Sequence, residues 1–137
     1  MNRTGNYNDF VNNNQNINQN NQTTDSGGIG RLKVFTFSAN GALPISGSIV
    51  RIYSKNSANQ PIIHYELVSN YDGETEEVTL ETPSIGNSAT PFEQAYAVYY
   101  VDIEHPDFQS IKEAVVQIFP NTITVLPANL QPQSWGV

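Results

Sequence analysis

The chain has 137 residues, no cysteine and a formal net charge of −7, from 6 Lys plus Arg against 13 Asp plus Glu. That length holds one domain, and the lack of cysteine excludes disulfides, thiolate metal sites and thiol nucleophiles. The acidic balance repels phosphate backbones and anionic lipid, no basic stripe with interleaved aromatics occurs, and no apolar run reaches the length of a membrane span, so neither nucleic acid nor membrane is expected as a partner.

Residues 1–29 contain ten Asn and three Gln, with Tyr7, Phe10, Val11 and Ile17 as scattered apolar side chains. Such a run buries too little surface to offset its chain entropy, so it reads as a disordered Asn-rich N-terminal arm ending in the hinge Ser26-Gly27-Gly28. The arm carries Arg3, Asp9 and Asp25, a net of −1, which leaves −6 on the remainder. The region around Met1 lacks the basic-then-apolar order of a signal peptide, which implies synthesis in the cytoplasm without export by that route.

Strand signals dominate after residue 30. Leu32 to Phe37 is rich in β-branched and aromatic residues and stops at the turn tripeptide Ala39-Asn40-Gly41. Ser48 to Tyr53 alternates and stops at Lys55 to Asn59. Ile62 to Val68 follows and closes at Asn70-Tyr71-Asp72-Gly73, a hairpin turn in which Gly takes positive φ freely. Glu76 to Glu81 is a short strand with an acidic face, and residues 82–95, with two Pro, a Gly and an Asn, read as a long surface connection.

Tyr96 to Glu104 is the most aromatic segment. It has Ala97, Tyr99, Val101 and Ile103 on one face and Tyr96, Val98 and Tyr100 on the other, the pattern of a central strand. His105-Pro106-Asp107 breaks it, and Ile111 to Ile118 and Thr122 to Leu126 supply the last two strands. The expected fold is all-β, a single seven-stranded transthyretin-like or immunoglobulin-like β-sandwich over 30–132, with the arm at 1–29 and a tail at 133–137.

No catalytic constellation stands out. His64 and His105 are the only histidines, and neither has the further ligands at short spacing that zinc needs. Asp72, Glu74, Glu76 and Glu77 crowd one hairpin with the charge but not the spacing of a calcium loop, and read as a solvated acidic turn. Asp102 and Glu104 share a strand face, where like charge raises one pKa, but no nucleophile or oxyanion hole is placed beside them and they read as a solvated strand edge. No catalytic, cofactor-binding or metal residues are therefore assigned, and the chain is read as not an enzyme.

Gly30-Arg31-Leu32-Lys33-Val34, Ala39 to Gly47, Tyr99 to Glu104, Val116-Gln117-Ile118-Phe119 and Leu126-Pro127-Ala128-Asn129-Leu130-Gln131-Pro132 together give residues 30–132 a resemblance. They resemble the transthyretin-like, carboxypeptidase-regulatory-like module at the N-terminus of spore cortex-lytic and peptidoglycan-binding proteins of spore-forming Gram-positive bacteria. The closing segment and the opening Ala39-Asn40-Gly41-Ala42-Leu43-Pro44-Ile45 are its specific parts, and the rest is shared with collagen-adhesin B-type repeats. Where that family has a Gly-Tyr corner this chain has Asp107-Phe108, and no hydrolase domain, wall-binding repeat or anchor follows residue 132, so the family's hydrolase activity is not expected.

The adhesin repeats imply a Lys–Asn amide crosslink between first and last strands, for which Lys33 and Asn129 sit in the right elements with Glu104 as acid. An exposed Lys33 and a turn-capping Asn129 are the plainer reading. The resemblance implies a non-catalytic structural protein of the bacterial spore envelope, made in the mother-cell cytoplasm. It would self-associate into a fibre or layer by strand donation from the arm, as a homo-oligomer through arm and sheet edges with a cell-wall or spore-coat partner. Two alternatives stay open: a peptidoglycan or glycan-binding module using Tyr53, Tyr65, Tyr71, Tyr96 or Trp135, and a folding aid or inhibitor of a cortex-lytic hydrolase.

Overall fold

The computed structural model describes residues 27–84 and 94–133. The arm up to residue 26, the middle of the 82–95 connection and Trp135 lie outside them. Among the described residues there are eight strands: β1 Gly28–Ser38, β2 Leu43–Pro44, β3 Ile49–Lys55, β4 Pro61–Val68, β5 Val78–Thr82, β6 Ala97–His105, β7 Phe108–Ile118 and β8 Ile123–Asn129. The two-residue β2 is the addition to the seven expected. β7 begins three residues earlier than expected because Pro106 and Asp107 form a tight turn and the chain re-pairs at once, His105 opposite Phe108.

Two four-stranded sheets face each other. In the first, β1 is the hub. β8 runs parallel along one side of it, with Arg31 opposite Ile123 and Phe37 opposite Asn129. On its other side β5 and β2 follow one another, with Leu32 opposite Val78 and Phe37 opposite Pro44. The second sheet runs β4-β3-β6-β7, all antiparallel. β6 is thus a central strand, as its two apolar faces require.

The period of two decides what is buried. Leu32, Val34 and Thr36 of β1 turn inward while Lys33, Phe35 and Phe37 turn out. Val50 and Ile52 of β3, Val101 and Ile103 of β6, Ile118 of β7 and Leu130 complete the fully buried layer. Each such side chain contributes about 1.5–3 kcal/mol on leaving water. At Gly30 the sheets approach too closely for a side chain, since a Cβ there would sit 2.4 Å from the Phe119 carbonyl oxygen.

One part of the interior is polar. Thr36, Ser48, Ser69 and Thr75 are buried beneath the Asn70–Gly73 turn. Thr36 Oγ1 donates to the Ile45 carbonyl at 2.8 Å, Ser69 Oγ donates to the same carbonyl at 2.7 Å, and Ser48 Oγ donates to Thr36 Oγ1 at 3.2 Å. The backbone N–H groups of Ser48 and Val34 donate to Ser69 Oγ and Thr75 Oγ1, each at 3.0 Å. Irregular connections leave backbone groups without ladder partners, and short hydroxyl side chains satisfy them. Gly73, at φ 79, lets the turn lie against β1, where a Cβ would meet the Thr36 carbonyl oxygen at 2.3 Å.

Candidate functional site

The two seams between the sheets and the outer face of the second sheet hold the chemistry-bearing side chains. At the β4/β5 seam, Tyr65 Oη donates to the Thr79 carbonyl at 2.8 Å and Tyr99 Oη to the Glu81 carbonyl at 2.6 Å. Two phenols of one sheet thereby cap the outer edge of a strand of the other. The hollow beside them, about 400 Å³, is lined by Ile29, His64, Tyr65, Thr79, Glu81 and Tyr99 among others. Burial, then the Glu81 charge, pushes the Tyr99 phenol above its ordinary value.

His64 reaches this seam because of a bulge. Ile52 pairs with Tyr65 and Tyr53 with Ile63, so His64 is the extra residue of β4. Its ring packs edge-on against Tyr99 at 5.6 Å, and Nε2 lies 2.8 Å from Ser54 Oγ. Sequence reasoning did not foresee the Ser54 contact, and strand alternation alone hides it, because the bulge shifts register by one.

The outer face of the second sheet carries a charge network centred on Asp102 and Glu104. Asp102 Oδ1 accepts from Tyr53 Oη at 3.0 Å and from the Glu113 backbone N–H at 2.8 Å. Glu113 takes φ 56 at a register irregularity of β7, so Asp102 fastens a strained residue. Glu104 accepts from Arg51 Nη1 at 3.1 Å and Lys112 Nζ at 2.7 Å, and Arg51 Nε also donates to Glu66 at 2.8 Å. The bond from Lys112, then that from Arg51, holds the Glu104 carboxyl below its ordinary value. Tyr53 is 6% exposed, stacked on Tyr100 at 5.6 Å, and burial followed by the Asp102 bond pushes its phenol up to about 12.

The other residues singled out in the sequence are scattered. His105 Nε2 lies 3.1 Å from the Ser46 carbonyl and its Nδ1 accepts the Asp107 N–H at 3.1 Å, away from the seam that holds His64. The acidic hairpin disperses into separate ion pairs, Glu74 with Lys33 at 3.3 Å and Glu77 with Arg31 at 3.5 Å. Asp102 and Glu104 lie on central β6 rather than at a strand edge. Lys33 sits opposite Val125 whereas Asn129 sits opposite Phe37, four residues further on, and Glu104 is in the other sheet, so the crosslinking trio is not brought together.

Of the tyrosines proposed for stacking, Tyr53 is buried and Tyr65 bonded across the seam. Tyr71, 92% exposed, stands free at its hairpin tip. Among the described residues no group of three or more His, Cys, Asp or Glu side chains is arranged to hold a metal ion, and no helix is long and apolar enough to cross a membrane.

No protein-family model and no curated protein matches the sequence. Solved structures do match in fold. GBS52, the minor pilin of the Gram-positive pathogen Streptococcus agalactiae, is 10% identical with a TM-score of 0.57, over 90% of this chain and 52% of that one. The Bacillus anthracis TIE protein is 12% identical with a TM-score of 0.50, over 85% of this chain and 17% of that one. A 3-chlorocatechol 1,2-dioxygenase from Rhodococcus opacus 1CP is 10% identical with a TM-score of 0.55, over 82% of this chain and 63% of that one. The chain thus spans less than two thirds of each of these proteins.

The fold is an all-β, immunoglobulin-like sandwich, shared with the minor pilin and the dioxygenase. The reading that the chain is not an enzyme is corrected here. The dioxygenase works on this same fold, so the absence of a recognisable motif in an all-β sandwich does not exclude catalysis.

Proposed function

We propose that this sandwich is a structural unit of a bacterial surface layer, in the spore envelope, joined to its neighbours by its Asn-rich arm. The observation that carries this reading is the state of the four sheet edges. β4 opens with Pro61 and is bent by the His64 bulge. β7 has two register irregularities and carries Lys112 and Glu113. β5 is five residues long, and its carbonyls at Thr79 and Glu81 are capped by tyrosines.

β8 differs. From Ile123 to Leu126 it pairs with β1 in unbroken register and shows Ile123 and Val125 about half exposed, at 49% and 53%. Pro127 ends this stretch, and the four residues before it, an apolar edge without a bulge or charge, accept an added strand. The arm offers extended polar sequence with Tyr7, Phe10, Val11 and Ile17 as side chains for alternate pockets. Use of the same fold in a minor pilin fits a role in assembly.

Electron microscopy and sedimentation of the full chain test the proposal. Filaments or sheets are expected from the intact protein, and a folded monomer from the chain lacking residues 1–26. Val125→Lys, which places a charge on the acceptor edge, should also block assembly. Assemblies that persist after deletion of the arm would overturn strand donation.

A further inference from the structure

We propose a second site, for a neutral saccharide, at the end of the sandwich where β1 and β8 stop. This inference goes beyond the assembly role and does not rest on it. A hollow of about 450 Å³ opens there, lined by Asn40, Leu43, Asn129, Leu130, Gln131 and Pro132 among others. That volume falls in the range of small-ligand sites.

The lining chemistry selects the ligand. The seam hollow contains His64 and Glu81, and the hollow on the outer face of the second sheet contains Arg51, Lys55, Asp102 and Glu113. The terminal hollow contains no ionisable side chain, on a chain whose formal charge is −7. Its polar side chains include three carboxamides, those of Asn40, Asn129 and Gln131, and none of the three has a side-chain hydrogen bond to a described residue. A carboxamide offers donors and an acceptor together, which matches a hydroxyl or an acetamido group, each also donor and acceptor. An anion or a cation would find no compensating charge there.

Apolar surface lies beside the amides, as a sugar's C–H face requires. Leu130 is the buried floor and Leu43, 59% exposed, stands at the rim. Phe37, opposite Asn129 across the β1–β8 ladder, stacks on Phe35 at 5.0 Å on the neighbouring outer face.

Both walls are set before any ligand arrives. On one side Ala39, Asn40 and Gly41 take φ of 53, 57 and 95 in succession, a left-handed run that strains the non-glycine residues. Strain held at the rim of a hollow points to use of the conformation. On the other side the Leu130 N–H donates to the Phe37 carbonyl at 2.7 Å and the Gln109 N–H to the Gln131 carbonyl at 2.8 Å. Rigid walls lower the ordering cost of binding.

Amide NMR of the full chain, titrated with the neutral trimers of N-acetylglucosamine and of glucose, tests the site, with trigalacturonate as the charged control. Shifts from at least one neutral trimer should concentrate on the side-chain amides of Asn40, Asn129 and Gln131, with affinity in the millimolar range and no response to trigalacturonate. Asn129→Ala with Gln131→Ala should weaken binding at least tenfold while leaving the dispersion of core amides unchanged. Asn129→Asp, which keeps the shape and removes the donors, should weaken it as well. Silence at the three carboxamides with both neutral trimers, equal response to the charged trimer, or undiminished binding by the double variant would overturn the proposal.

Discussion

The two long seams of this sandwich are closed by different means. At the β7/β8 seam the chain itself crosses over. Beyond β8, Gln131 accepts the Gln109 N–H at 2.8 Å, Pro132 bridges to Phe108, and the Gln133 N–H donates to the Asp107 carbonyl at 3.2 Å, so main chain from one sheet is pinned to an edge of the other. At the β4/β5 seam the chain crosses at one end, through residues 69–77, where the Ser69 N–H donates to the Ser48 carbonyl and the Thr75 N–H to the Val34 carbonyl. Along the strands beyond that crossing two tyrosine hydroxyls span the gap, and a hollow remains beside them. The first closure resists opening because covalent chain and several backbone bonds must yield together. The second, away from its crossing, depends on two side chains, so local opening should begin at that hollow.

The largest effect is expected at the closed seam. Leu130 is 1% exposed and begins the crossing segment. Leu130→Ala removes core volume and loosens that segment, and should cost about 2–5 kcal/mol in chemical denaturation. A loss below about 1 kcal/mol would mean that the crossing adds little and would break the contrast between the seams.

Second in size is the open seam. Tyr99→Phe should cost about 1 kcal/mol, since it strips a donor from the Glu81 carbonyl in a half-closed setting, and Tyr65→Phe, on the more exposed hydroxyl, should cost less. Hydrogen exchange sharpens the point. Amides of β5 should exchange faster in Tyr99→Phe while those of β8 keep their protection.

The strands and the central place of Tyr96–Glu104 were legible in the sequence because apolar alternation follows burial, and the structure buries Leu32, Val34 and Thr36 on one strand and Tyr99, Val101 and Ile103 on the other. The seams were not. His64 meets Ser54 and Tyr99 only because a bulge adds one residue to β4, and nothing in the local composition marks it. Arg51 and Lys112 escaped notice as well. Their partner Glu104 lies 53 and 8 residues away in sequence, and only the β3-β6-β7 strand order brings all three together. The buried hydroxyls of Thr36, Ser48 and Ser69 looked like ordinary strand and turn residues, because their role is to serve backbone groups that no ladder reaches. The enzymatic question was misjudged for a different reason, namely that a fold does not carry one chemistry.

Alkaline pH should separate the seams further. The Tyr99 phenol is held above its ordinary value of 10.0, so the stability it confers is complete below that pH and is lost as pH rises through the folded value. An ionised Tyr99 no longer donates to the Glu81 carbonyl, whereas the backbone closure at Gln109 and Gln131 carries no titrating group. Tyr53 loses its own contribution between pH 10.0 and about 12, as its donation to Asp102 fails. Ultraviolet titration should show these two phenols ionising above their ordinary value of 10.0. Unfolding followed from pH 9 to 12, a range set by those values, should become flatter in Tyr53→Phe.

The smallest effect lies in acid, on the strap that ties β7 to β6 and β3. Lys112 and Arg51 hold Glu104 below its ordinary value of 4.5, so the stabilisation is present above that pH and disappears as pH falls through the folded value. All three side chains are exposed enough for solvent and salt to screen them, so the change is expected to be slight and to shrink in high salt. Glu104→Gln should therefore remove a shallow acid dependence of melting temperature without touching the alkaline limb. A steep acid transition that survives this substitution would place the responsible carboxylate elsewhere.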